Sequence, residues 1–203
     1  MKPYQYGLLF LAFLLLGYNS VYFEKLSDRQ AGAEADFDYG AYADSLYYQG
    51  MLQEVAAVEL ATLLADIRND ADAAFKNYGN RLGIGNSAYF MVKGSGVITG
   101  ITEDAIRLQA AGVGDVGINT RYIFGNALRD ASGLVKLTDF KTNAEFNRVS
   151  EALNALVRTK VMPPLIDALE TGDSIAVVGA VKLSKKALDD PALMITPAQI
   201  IPQ

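Results

Sequence analysis

YFMVKGSGVI, residues 89–98, is the stretch in which the periodicity of the chain changes. Upstream, apolar residues recur every three or four positions. Here they recur every two, the spacing of a strand with one buried face. Gly94 and Gly96 mark a bulge or bend, which suits the tight coiling of a small barrel. Downstream, Ile106–Gln109 reads as a weaker strand and Arg121–Leu128 (RYIFGNAL) as a third, with Gly125 inside it. Asp130-Ala131-Ser132-Gly133 reads as a turn. Thr142-Asn143-Ala144-Glu145 is a capping box that opens a helix. Phe146, Val149, Leu153, Leu156 and Val157 form its apolar face, Pro163-Pro164 breaks or restarts it, and Thr171-Gly172-Asp173 ends it. Ser174–Leu183 (SIAVVGAVKL) and Met194–Ile201 supply two more strands. Five strands with a helix between the third and fourth is the order of an OB-fold barrel. The expected class is therefore α+β.

Upstream of Gly83 the pattern is helical. Leu52, Ala56, Leu60, Leu63, Ile67, Ala71, Ala74 and Tyr78 share one face, which predicts a single long helix stopped at Gly79. Residues 36–50 (DFDYGAYADSLYYQG) predict a short helix ending near Gly50. Three parts follow: an anchor and linker over 1–32, a small helical domain over 33–82, and the barrel domain over 83–203.

At the N-terminus, Gly7–Leu16 (GLLFLAFLLL) is uninterruptedly apolar and follows Lys2. Tyr4 and Tyr6 flank the run on one side, Tyr18 and Tyr22 on the other, as in an aromatic belt. A helix from Tyr4 to Tyr22 would be about 27 Å long, close to one hydrocarbon core. Residues 4–23 are therefore read as an uncleaved signal anchor, with 33–203 exported. The competing reading is cleavage at Ala31-Gly32-Ala33.

Composition closes off much chemistry. The 203 residues include no His, Cys or Trp. Ser-His and Cys-His nucleophiles, imidazole ligands and thiolate sites are excluded. No metal and no cofactor is expected. The overall charge is −5, but residues 33–80 hold nine acids and two bases, net −7. With no basic patch, nucleic acid is not an expected partner.

Gly112-Val113-Gly114-Asp115-Val116-Gly117 fits the GxGxxG pattern. The segment after it alternates like a strand instead of opening a helix, so a β-turn is expected in place of a nucleotide site. Tyr39, Tyr42, Tyr47 and Tyr48 crowd one segment, either to stack on sugar faces or to pack against the barrel. Arg129 either pairs with Asp130 to hold the DASG turn or faces a ligand together with Arg121, eight residues earlier and on the same strand face. Tyr42, Tyr47, Arg121 and Arg129 are the candidate ligand-binding residues. Glu103-Asp104 and Asp189-Asp190 point to opposite faces if extended and form no acid/base dyad. Lys93 reads as an outward-facing barrel residue.

Several blocks resemble a bacterial family of predicted periplasmic lipoproteins, domain of unknown function (DUF) 2291. They are Phe37–Tyr42 with Asp44-Ser45, Ala57–Leu64, Ala73–Gly79, Gly85–Ile98, Arg129–Phe140, Phe146-Asn147 with Ser150 and Leu153-Asn154, and Val178–Ala180. The resemblance implies a helical segment joined to an OB-like barrel, and an association with sugar ABC-transport components. It brings no catalytic residue with it. The family's lipid-bearing Cys is missing here, and a transmembrane anchor would do the same work. The expected function is that of a non-enzymatic, membrane-anchored accessory protein that binds a neutral solute or a protein partner. A carboxylate- and Arg-based envelope hydrolase or transferase, and a purely structural envelope protein, are the alternatives.

Overall fold

The computed structural model describes residues 37–81, 83, 85–188 and 193–203. The expected anchor at 4–23, the Ala31–Ala33 sequence and Asp189-Asp190 lie outside the described residues. Among the described residues no helix is long and apolar enough to cross a membrane.

The barrel is organised by one long strand, β2 (Ser87–Ile101). It follows a two-residue strand, β1 (Val58–Glu59), which lies parallel to it at Val92 and Lys93. The first part of β2 runs antiparallel to β5 (Ser174–Ser184), from Ser87↔Ser184 to Val97↔Ser174. Its end turns onto β3 (Ala105–Ala110), from Gly96↔Ala110 to Ile101↔Ile106. At Gly96 β2 carries both pairings, and a Cβ there would sit 2.2 Å from the Gln109 carbonyl oxygen. Only glycine fits a backbone approach that close. β4 (Gly114–Asn119) runs antiparallel to β3, and β6 (Met194–Pro202) antiparallel to β5. The sheet closes where β4 meets β6 in parallel, at Gly117↔Met194 and Ile118↔Ile195. Five long strands, three before the helices and two after, make an α+β barrel of OB type.

The third strand is not the one expected. Arg121–Leu128 is rich in residues that favour strands, but it forms a loop running into α4 (Ala127–Ser132). The strand is instead GDVGIN, the second half of the GxGxxG match. Val116, Gly117 and Ile118 there are all buried, and Gly112, at φ +71°, makes the turn before it. Gly125 lies outside any strand at φ +74° with open space around it. A side chain there would be opposed by backbone conformation, not by packing. The expected DASG turn is the end of α4, closed by Gly133 at φ +67° in the left-handed cap position.

The expected long helix is also divided. After α1 (Tyr39–Ser45) and a π-helical turn (Leu46–Met51), the amides of Gln53 and Glu54 turn back onto the Gly50 carbonyl. The chain then extends into β1 before α2 (Leu60–Asn69) begins. α2 stops at Asp70, which is extended (φ −151°, ψ 96°) and caps α3 (Ala71–Tyr78) by accepting the Ala73 N–H at 3.0 Å. The shared apolar face misled the periodicity: Leu60, Leu63, Ile67, Ala74 and Phe75 are all buried across the break. Phe75 meets Phe90 of β2 edge-on, with ring centroids 5.0 Å apart. Helical segment and barrel thus share one core, and Tyr39–Gln203 forms one compact unit.

α5 (Asn143–Leu156) starts where expected, with Thr142 Oγ1 accepting the Glu145 N–H at 3.2 Å. The returning bond from Glu145 accepts the Lys141 N–H instead of the Thr142 N–H. A second π-helical turn (Val157–Val161) leads to α6 (Pro163–Ile166), with Pro163 opening that helix.

Gly179 faces a barrier like that at Gly96: a Cβ would lie 2.4 Å from the Thr196 oxygen. Gly179→Ala should therefore lower stability in urea by roughly 2 kcal/mol or more. Gly100→Ala, with nothing within 4 Å of its Cβ position, should be neutral or stabilising by up to about 1 kcal/mol.

Candidate functional site

The densest polar structure in the molecule surrounds Arg129 and Asp130. Both are buried in α4, at 2% and 5% exposure. Arg129 Nε donates to Asp130 Oδ1 at 2.8 Å, and its Nη2 lies 2.7 Å from the same oxygen. Nη1 donates to the Phe146 carbonyl at 2.8 Å, and the guanidinium carbon stands 3.4 Å from the Phe146 ring centroid. Asp130 Oδ2 accepts from the Asn126 amide, whose Oδ1 accepts from the Tyr89 hydroxyl at 3.1 Å. Asn154 donates to the Gly125 carbonyl at 2.6 Å, and Ser132 Oγ to the Arg129 carbonyl at 2.6 Å. A buried charge pair survives only when its remaining donors and acceptors are satisfied, and here β2 and α5 satisfy them. The network fixes the 125–134 segment between barrel and helix.

Beyond that segment lie three adjoining depressions. The one of ≈ 420 Å³ has Met91 in its lining, with Glu54, Lys76, Asn77, Tyr78, Asn80 and Ser132 as its polar walls. Asn80 also borders a second, of ≈ 480 Å³, along Val135–Thr138. Glu54 and Leu134 border a third, of ≈ 290 Å³, against α1. Asn80 is held in place by its side-chain bond to the Ala131 carbonyl (2.9 Å) and its backbone bridge to Tyr89. Tyr78 donates its hydroxyl to Asp66 at 2.8 Å, and that bond to a carboxylate raises the phenol's pKa. Tyr78 thus lines the cleft with its hydroxyl already engaged. Glu54 and Lys76 bring one formal charge of each sign to the lining. Among the described residues no group of three or more Asp or Glu gathers into a metal-sized site.

The four candidate residues do not meet. Tyr42 is half-buried on α1, edge-on to Phe140 at 6.1 Å, and borders the third depression. Burial, and the charge of Asp139 nearby, raise its pKa. Tyr47 is 2% exposed and donates its hydroxyl to the Ala198 carbonyl at 2.7 Å. Burial, with Tyr48 beside it, pushes its pKa up to about 12. Arg121 is exposed and paired with Glu103 and Asp104. Arg129 is spent on Asp130, the first of the two readings open for it. Because the 121–128 segment is a loop and a helix start, Arg121 and Arg129 share no strand face. Lys93 is exposed beside Glu59, as an outward-facing residue would be. The cleft residues Glu54, Lys76–Asn80 and Ser132–Leu134 come from three separated stretches, and no spacing in the sequence joins them. Four of the blocks that carry the family resemblance, Ala57–Leu64, Ala73–Gly79, Gly85–Ile98 and Arg129–Phe140, contribute residues to this lining.

Residues 11–201 match the family of predicted periplasmic lipoproteins designated DUF2291. The chain belongs to this family. In fold, this DUF2291 protein is similar to the crystal structure of an OB-fold protein from Thermotoga maritima, with a TM-score of 0.71 and 23% sequence identity. That likeness covers 82% of this chain and 99% of the other. No curated protein matches the chain. DUF2291 membership carries the description of a periplasmic lipoprotein, although the chain contains no cysteine to bear the lipid.

Arg129→Met should cost about 3–5 kcal/mol in chemical denaturation, because Asp130 is left as an uncompensated buried charge. Arg129→Met/Asp130→Leu should recover most of that loss. Tyr47 provides an alkaline test. Its native pKa of about 12 lies above the unfolded value near 10, so its contribution to stability is complete below about pH 10 and is lost as pH rises through about 12. Unfolding midpoints measured from pH 9 to 12 should fall more steeply for the parent protein than for Tyr47→Phe.

Proposed function

We propose that this protein is a non-enzymatic, membrane-anchored, periplasm-facing accessory protein whose OB-like module captures a small neutral solute, with sugars the favoured class. The carrying observation is the ≈ 420 Å³ cleft between α3, α4 and β2. It combines a flat ring (Tyr78), side-chain amides (Asn77, Asn80) and an opposed pair of charges (Glu54, Lys76). Rings and amides recognise the apolar faces and hydroxyls of a sugar, and a balanced site does not favour an ion. The net −7 of residues 33–80 also disfavours an anion. Tyr42, across Leu134 in the adjoining depression, would provide a second ring for a longer ligand. A role beside sugar ABC-transport components is part of the same proposal. The Tyr4–Tyr22 pattern supports an anchor in place of the missing lipid.

Calorimetry on the full chain with neutral mono- and disaccharides tests this reading. Lys76→Ala and Asn77→Ala, both exposed on α3, should each weaken binding about tenfold, or about 1.4 kcal/mol, with unchanged unfolding midpoints. If no neutral sugar binds, the solute reading is overturned.

A further inference from the structure

The loop joining β4 to α4 presents two aromatic rings to water. Tyr122 is 56% exposed and Phe124 60%, while Ile123 between them is fully buried. The exposure is held by the fold. Ile123 pins the loop into the core, and Arg158 donates to the Ile123 carbonyl at 2.9 Å. The Arg158 guanidinium also stands 4.5 Å from the Phe124 ring centroid, and that of Arg121 6.0 Å from the Tyr122 ring. Neither ring is accounted for by the core, the Arg129 network or the cleft.

We infer that Tyr122 and Phe124 form a membrane-contact tip, which dips into the lipid headgroup region of the membrane that carries the protein. This rests on the membrane anchoring proposed above. Three observations select lipid over a protein partner. First, the apolar patch is small. Two rings of about 150–250 Å² each, little more than half exposed, fall well short of the roughly 800 Å² per partner of a stable protein interface. The neighbours of the two rings are cationic, Arg121 beside Tyr122 and Arg158 beside Phe124. Second, Tyr and Phe flanked by Arg and Lys is the residue chemistry of the bilayer interface. Third, weak contact is enough for a tethered domain, because the anchor keeps its local concentration high. Arg121 is offset by Glu103 and Asp104, and Lys160 by Asp44, which leaves Arg158 as the cation beside Phe124, so the rings carry more of the contact than attraction to anionic lipid.

The chain contains no tryptophan, so Phe124→Trp places a single reporter at the tip. Full-length protein would be reconstituted into phosphatidylethanolamine–phosphatidylglycerol vesicles with brominated acyl chains, and flotation scored first. Leu137→Trp, at an exposed position in the depression along Val135–Thr138, whose lining holds no residue of the loop, serves as the control. The Phe124→Trp emission should be blue-shifted, quenched about twofold by brominated lipid and shielded from iodide, with little change in high salt. Leu137→Trp should stay accessible to iodide and unquenched by lipid. A protein that floats while its Phe124→Trp indole is quenched by iodide and not by lipid overturns the tip and leaves the anchor standing. Equal lipid quenching of both reporters, or a blue shift that depends on protein density and not on lipid, also overturns it. Failure to float overturns tip and anchor together.

Discussion

The pairing of Arg129 with Asp130 is the constraint on which the arrangement of this molecule depends. Two adjacent residues of a six-residue helix place opposite charges inside a core that tolerates neither alone. The cost is met by recruiting the Phe146 carbonyl and ring from α5, and Asn126 with Tyr89 from the loop and β2. The OB topology inserts a long excursion between its third and fourth long strands, and this network ties that excursion back to the barrel. The cleft walls contributed by Ala131–Leu134 have their positions because α4 has no freedom to move. The pair acts on ligand binding, under the proposed function, only through the place it gives to Ser132, Leu134 and Asn80.

Much of the barrel was legible because its strands bury one face. Residues 87–101, 105–110, 174–184 and 194–202 all lie where alternation or apolar content puts them. The third strand escaped because GDVGIN is short and half glycine and acid, while RYIFGNAL has a stronger strand composition. Propensity there reflects side chains suited to a half-buried surface, and only Ile123 of that loop is buried. The break at Asp70 was hidden because the apolar face continues through it, although an Asp three residues before an N–H it can cap is a usable signal. The charge pair was legible from adjacency alone. The cleft was not, since its walls meet through long-range contacts, the Asn80–Tyr89 bridge and the bond from Asn80 to the Ala131 carbonyl.

The tyrosines show how one residue type divides into separate roles. Tyr47 is core, Tyr89 belongs to the buried network, Tyr78 is a cleft wall, Tyr42 borders the adjoining depression and Tyr122 stands in solvent. Composition could count these rings but not sort them. What sorts them is the destination of each hydroxyl: a strand carbonyl for Tyr47, an asparagine for Tyr89, a carboxylate for Tyr78.

The bond from Tyr47 to Ala198 spans 151 positions of the chain. It joins the π-helical turn that follows α1 to β6, the last barrel strand in chain order. Until β6 arrives, the Tyr47 hydroxyl has no strand carbonyl to meet and β5 has an unpaired edge. Such long-range closure slows folding compared with a fold built from local contacts. A chain cut short before residue 194 would therefore lose its barrel closure and the Tyr47 lock on its helical segment together.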